Sequence, residues 1–373
     1  MRSAQPIRRA GVCLGYTALI ALVLAFEPTA FAQKQSAPQL ARAAWDALNA
    51  GRVQEAVTAF DDALKLAPQQ PTLLLGAGVA AHLQGREDAA RRLLVDALKI
   101  EPALTAASLL LGTVLYQSGD IDGAIDIYQQ ALTLAPEDPQ LLKRLAEWRK
   151  ESALHSGFGR KLGDHFTVMF EGPAEADLAE RAVAILERAY WRIGTALYTY
   201  PSDVVTVVLY TREQFRDITQ SPAWAGGAFD GRIRMPVQGA LQNLSEFERV
   251  LSHEFTHALV RSIAPRGVPY WLDEGLAVNF EGSDMAKKRQ QVNAAETLLP
   301  LSRLERSFAD LSARDAALAY AESATAVQAL IEDSGAPALV GVLGDLGRGM
   351  PFAEAFERNL LVSYADFQKK QQF

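Results

Sequence analysis

Apolar and small residues recur along residues 37–138 in a 34-residue rhythm, laid over ordinary helical spacing. Phe60, Leu94 and Tyr128 form one column. Ala56, Ala90 and Ala124 form a second, and Ala63, Ala97 and Ala131 a third. Gly51, Gly85 and Gly119 keep the same phase, as do Pro68, Pro102 and Pro136. The pattern predicts three helix–turn–helix units, with each glycine turning the first helix into the second and each proline marking the exit. The alanines let paired helices approach, and the large column fills the space between them. Ala44, Gly78 and Gly112 are the small residues of the first helices. A further helix over residues 139–154 caps the stack, for which three units are about the minimum.

The pattern changes after residues 156–159, Ser-Gly-Phe-Gly, which read as a linker. Alternation predicts strands at 165–170 and 204–210, separated by a helix over 174–196. Residues 225–236 read as one strand entered through glycines. A helix over 246–262 contains no Gly or Pro and carries Phe247, Val250, Leu251, Phe255, Ala258 and Leu259 on its apolar face. Ser245 and Glu248 have the spacing of a capping box. Helices are expected at 323–333, 336–346, 353–358 and 364–370. The fold class is therefore α+β: an N-terminal helical solenoid over 37–154, then a mixed domain over 160–370 that ends largely helical.

The 246–262 helix holds the chemistry. His253, Glu254 and His257 form H-E-x-x-H. Histidines four apart lie one turn apart on one helix face, where both imidazoles can hold one zinc ion. Glu254 projects beside the metal and can take a proton from zinc-bound water. A catalytic zinc needs a third protein ligand. Glu274 is the candidate, because Pro265, Arg266 and Gly267 provide a turn and Pro269 the start of a second helix. Asp273 is the rival, pointing about 100° away around that helix.

H-E-x-x-H followed by Trp271-Leu272-Asp273-Glu274-Gly275-Leu276-Ala277 resembles the gluzincin branch of zinc metallopeptidases, which includes thermolysin, the aminopeptidase N family and peptidase-MA-like domains. The resemblance implies a thermolysin- or aminopeptidase-like zincin domain over about residues 160–370. It implies Zn2+ as cofactor, with His253, His257 and Glu274 as ligands and Glu254 as general base. Tyr320, in a segment similar to Y-x-K-G-x-x-x-L of aminopeptidase N, becomes the donor to the oxyanion. The 225–236 strand becomes the cleft edge that pairs with substrate backbone. Two departures stand out. The G-x-M-E-N signature is missing, which puts aminopeptidase activity in doubt. The aspartate that follows the ligand glutamate by four residues in thermolysin-like enzymes is here Val278, leaving Asn279 or a backbone carbonyl as possible substitutes. The 34-residue units resemble tetratricopeptide repeats, which implies a groove for a peptide or protein partner.

The first 32 residues read as a secretory signal. Arg2, Arg8 and Arg9 precede an apolar stretch over 11–26, and Ala30-Phe31-Ala32 is an A-x-A cleavage site. The one cysteine, Cys13, falls inside this segment, so cleavage leaves a chain without thiols. That composition suits a bacterial periplasm. No later stretch has the length and apolarity of a membrane span. The formal net charge is −7, and −9 without residues 1–32, which argues against a nucleic-acid partner. Of the remaining histidines, His165 is expected to be structural, and His82 and His155 fall in the repeats and the linker. The sequence thus points to an exported zinc metallopeptidase with a repeat domain. Its rivals are a periplasmic scaffold with an inactive peptidase-like fold and a zinc hydrolase of a non-protein amide.

Overall fold

Each 34-residue unit folds as a helix pair. In the computed structural model, which describes residues 36–221 and 226–370, the pairs are α1 (Ala37–Asn49) with α2 (Val53–Leu66), α3 (Pro71–Leu83) with α4 (Glu87–Ile100), and α5 (Thr105–Gln117) with α6 (Ile121–Leu134). The expected signal, residues 1–32, lies outside the described residues. Helix α7 (Pro139–His155) packs on α6. Gly51, Gly85 and Gly119 turn each pair at φ of +74°, +69° and +96°, a left-handed conformation that a β-carbon disfavours. Phe60, Leu94 and Tyr128 are buried, and Tyr128 lies so close to Gly112 that no β-carbon fits there.

No linker separates the solenoid from the mixed domain. Strand β1 (Phe158–Leu162) follows α7 with only Ser156 and Gly157 between them and pairs with β2 (Phe166–Glu171). The supposed linker is tied down because Phe158 packs against a cluster with Met169, Val208 and Tyr210. Helix α8 (Ala176–Leu197) connects β2 to β3 (Val205–Tyr210), and α9 (Arg212–Thr219) follows. Residues 228–236 form a hairpin rather than one strand. Gly231, at φ +108°, turns β4 (Ala228–Phe229) into β5 (Ile233–Pro236). The sheet order is β1-β2-β3-β5-β4, with a parallel centre and antiparallel strands at both edges. Val207 to Tyr210 are all buried, as expected of a central strand covered on both faces.

Helix α10 (Leu244–Ile263) packs with α8 on this sheet through Val250, Leu251, Phe255 and Leu259. Its cap is Asn243, whose side chain accepts from the Glu246 amide. Ser245 instead donates its hydroxyl to Asn243, so the helix starts earlier than the Ser245–Glu248 spacing predicts. Helices α11 (Tyr270–Phe280), α12 (Met285–Asn293), α13 (Leu301–Leu304), α14 (Ala313–Ser334), α15 (Ala336–Gly347), α16 (Phe352–Leu360) and α17 (Tyr364–Lys370) complete the chain. Helix α14 extends well before residue 323 because Ser312 caps it and a run of alanines carries it forward. Trp271, Leu272, Leu276, Val327, Val342 and Phe356 centre a second core. Among the described residues no single helix is long and apolar enough to cross a membrane.

Candidate metal centre

Helix α10 presents His253 and His257 side by side, and α11 crosses to bring Glu274 against them. The Nε2 atoms of the two imidazoles are 3.2 Å apart. Glu274 Oε2 lies 3.3 Å from one and 3.5 Å from the other. Each imidazole directs its Nδ1 at a carboxylate: His253 at Glu281 Oε2 (2.8 Å) and His257 at Asp273 Oδ1 (2.9 Å). An ionised carboxylate only accepts, so each Nδ1 carries the proton and donates it. Both Nε2 lone pairs then face one point, which Glu274 Oε2 also faces. That oxygen is buried and has no hydrogen-bond partner.

Three lone-pair donors so close together need a cation between them. A tetrahedral ion with bonds of ~2.0–2.1 Å sets ligand–ligand edges of ~3.3–3.4 Å. The observed 3.2, 3.3 and 3.5 Å match those edges. His253, His257 and Glu274 are the group among the described residues with metal-ligand geometry. Burial opposes a charged imidazole, yet the Glu274 and Glu281 carboxylates lift His253 to about 9. His257 is also raised, burial being outweighed by Asp273 and Glu274. Glu274 is held low by the two imidazoles despite its burial.

The cluster lines a cleft of ≈ 550 Å³ with Glu254, Tyr270, Tyr320, Val250 and Phe229. Glu254 is buried beside the imidazoles, and burial raises its carboxyl above the ordinary range. The chain leading into β4 closes over it. A β-carbon at Gly227 would come within 2.6 Å of Glu254 Oε1, so a side chain there would push the Glu254 carboxylate aside.

Residues 192–369 match the Peptidase MA superfamily. The second half of the chain is a Peptidase MA domain. Two tetratricopeptide profiles match residues 41–103 and 105–148 of the part before it. Among solved structures, the first tetratricopeptide domain of Spaghetti (RPAP3), bound to the HSP90 peptide SRMEEVD, is 18% identical. It covers 32% of this chain and 94% of its own, with a TM-score of 0.31. The myosin chaperone UNC-45 from C. elegans, in complex with a Hsp90 peptide, is 13% identical over 90% of this chain, also with a TM-score of 0.31. The chain spans 32% of that structure's length. No curated protein matches the sequence.

Within the Peptidase MA domain, Gly275 explains how Tyr320 reaches the cleft. A β-carbon there would collide with the Ser323 carbonyl, so α11 and α14 touch backbone to backbone. Helix α14 thereby carries the Tyr320 ring to 6.4 Å from that of His253. Burial and the nearby Glu274 raise the Tyr320 hydroxyl well above its usual range, which keeps it protonated. Asp273, the rival ligand, orients His257 instead. Asn279 does not orient either imidazole; its amide donates to the Gly275 and Ala324 carbonyls. Glu281 takes the expected aspartate's place beside His253, and it also accepts from Arg249 at 2.6 Å and from Ser283. Sequence reasoning missed Glu281. The available signal was its spacing, two helical turns after Glu274 and so on the same side of α11. His165 pairs with Glu187 and stacks on Tyr190, outside the cleft lining.

Proposed function

We propose that this chain is an exported zinc-dependent peptidase that hydrolyses peptide bonds in its His253–His257–Glu274 cleft. The observation that carries the reading is the convergence of three lone-pair donors on one point, with the buried Glu274 Oε2 lacking any hydrogen-bond partner. Two nitrogens and one oxygen at these spacings suit zinc, which supplies Lewis-acid chemistry, acidifying water and polarising a carbonyl.

The chain's own residues divide the remaining work. Glu254 accepts the proton of the attacking water and returns it to the leaving amine; its burial raises its carboxyl above the ordinary range. Tyr320 donates its hydroxyl to the developing oxyanion. Strand β4 is the edge of the sheet and lines the cleft, so an extended peptide can pair with its main chain. Asp273 and Glu281 hold the imidazole tautomers that keep both Nε2 atoms available. The tetratricopeptide helices offer a surface for a peptide or protein partner. Export rests on the basic start, apolar stretch and A-x-A site within residues 1–32, and the periplasm is the favoured destination.

The test is digestion of a mixed peptide library by the zinc-supplied chain, with Glu254→Gln as control. The expected result is cleavage by wild type and a loss of ~10²–10⁴-fold in the variant, the usual worth of a general base. Equal cleavage by both would overturn the assignment of Glu254. No cleavage by wild type, with amide or ester hydrolysis instead, would move the substrate class away from peptides.

A further inference from the structure

Three consecutive turns of the solenoid touch three loops of the Peptidase MA domain; one of those loops belongs to the hairpin that borders the cleft, and another joins the two helices that carry His253, His257 and Glu274. At the first turn, Val53 lies beside Gly349, in the loop between α15 and α16. At the second, Gly85 meets the Pro265 ring so closely that no β-carbon fits. There His82 Nε2 accepts from Arg266, while its Nδ1 donates to Glu87 at 2.8 Å. Pro265 and Arg266 belong to the loop that joins α10, which carries His253 and His257, to α11, which carries Glu274. At the third turn, a β-carbon on Gly231 would sit 2.9 Å from the Gln117 carbonyl oxygen. Gly231 is the tip of the β4–β5 hairpin.

The hairpin is fastened further by a buried charge network. Arg232 and Arg234 are 4% and 1% exposed, and Glu151 of α7 is 2% exposed. Glu151 Oε1 accepts from Arg232 (3.1 Å) and Arg234 (2.8 Å), and its Oε2 accepts from the Tyr116 hydroxyl (2.6 Å). Arg232 also donates to the Tyr116 carbonyl (2.9 Å) and Arg234 to the Tyr116 hydroxyl (2.9 Å). Asp230 balances the second guanidinium at 3.0 Å. The bonds that the hairpin's two arginines send toward the solenoid thus end on α5 and α7. The other strand of the same hairpin follows Gly227, which abuts Glu254, and faces the cleft.

We propose that the solenoid is a positioning part of the cleft, and that Glu151 is a positioning residue which fixes the β4 edge where extended substrate would lie. The kinetic half of this inference rests on the peptidase reading; the structural half does not. Without the Glu151 charge, two buried guanidinium groups lose their shared counter-ion, and the hairpin they anchor loosens first.

The test uses the full chain carrying Glu151→Gln, which keeps shape and acceptor oxygen but removes the charge. Tyr116→Phe is a milder second variant should the first not fold. Hydrogen exchange is read over residues 226–236, with residues 352–370 as a distant reference. The expected result is exchange at least ~10-fold faster in the hairpin and unchanged in the reference. For an extended peptide, KM should rise several-fold at unchanged kcat and unchanged metal content, because loosened edge pairing weakens binding without touching the chemistry. Unchanged hairpin exchange overturns the proposal. So does faster exchange spread evenly over both segments, since that marks general destabilisation. If wild type cleaves no peptide, only the peptidase reading fails, and the exchange result still decides.

Discussion

Two buried clusters of charged and polar groups lie within this chain, and they are built on opposite principles. Around Glu151, donors meet acceptors: Arg232, Arg234 and Tyr116 donate to it, Tyr210 accepts from Arg234, and Asp230 adds a second negative charge. Around Glu274, acceptors meet acceptors: two imidazole lone pairs and an unpartnered carboxylate oxygen face one point. A closed network satisfies itself and holds protein to protein. A set of converging lone pairs is costly until a cation joins it. That contrast separates the self-satisfied cluster from the one proposed to hold a metal without appeal to either one's ancestry.

The contrast can be broken by substitution. Glu151→Ala strands two buried guanidinium groups and should cost about 3–5 kcal/mol of folding stability, as removal of one partner from a buried ion pair does. Chemical denaturation of the metal-free chain measures it, and a loss below about 1 kcal/mol would mean the network is worth no more than surface pairs.

The closed network should also be sensitive to acid. His155 accepts from the Tyr210 hydroxyl, which itself accepts from Arg234. Burial, with Arg232, Arg234 and Arg160 nearby, lowers His155 to about 4, although Glu151 pulls the other way. The folded state therefore prefers the neutral ring. The stability it contributes, about 3 kcal/mol at most, is fully present above a pH of about 6.5 and is lost as pH falls toward 4. His155→Gln should flatten that part of the stability–pH curve. An identical slope in the variant would assign the acid sensitivity to other groups.

The smallest expected effect is at the rim of the open cluster. Glu281→Gln leaves all three ligand atoms in place but weakens the hold on His253 Nδ1. Metal affinity should fall ~10–100-fold in a chelator competition. A drop no larger than that of a surface control such as Glu354→Gln would mean Glu281 serves only to pair with Arg249.

These clusters were unequally legible in the sequence. The histidines and Glu254 share one helix, where spacing alone sets geometry, and Glu274 lies on the next helix, one loop away. The repeats were legible because several residue columns keep one phase. The closed network was not, because Glu151 meets Arg232 and Arg234 across 81 and 83 residues, a distance over which local patterning carries no information. Glu281 was hidden for a different reason: it stands at the C-cap of α11, two turns past Glu274 on the same side, whereas the family pattern points to the position four residues after Glu274. The 225–236 segment alternates as a strand should, but Gly231 folds it into a hairpin whose partner is itself. Residues 156–159 have a linker's composition, and tertiary packing of Phe158 overrode it.

The most direct measurement is the zinc content of the purified chain beside His253→Ala and Glu254→Gln. Near one zinc per chain is expected in wild type, lost in His253→Ala and kept in Glu254→Gln. Absence of zinc from all three after metal is supplied, or equal zinc in all three, would contradict that expectation.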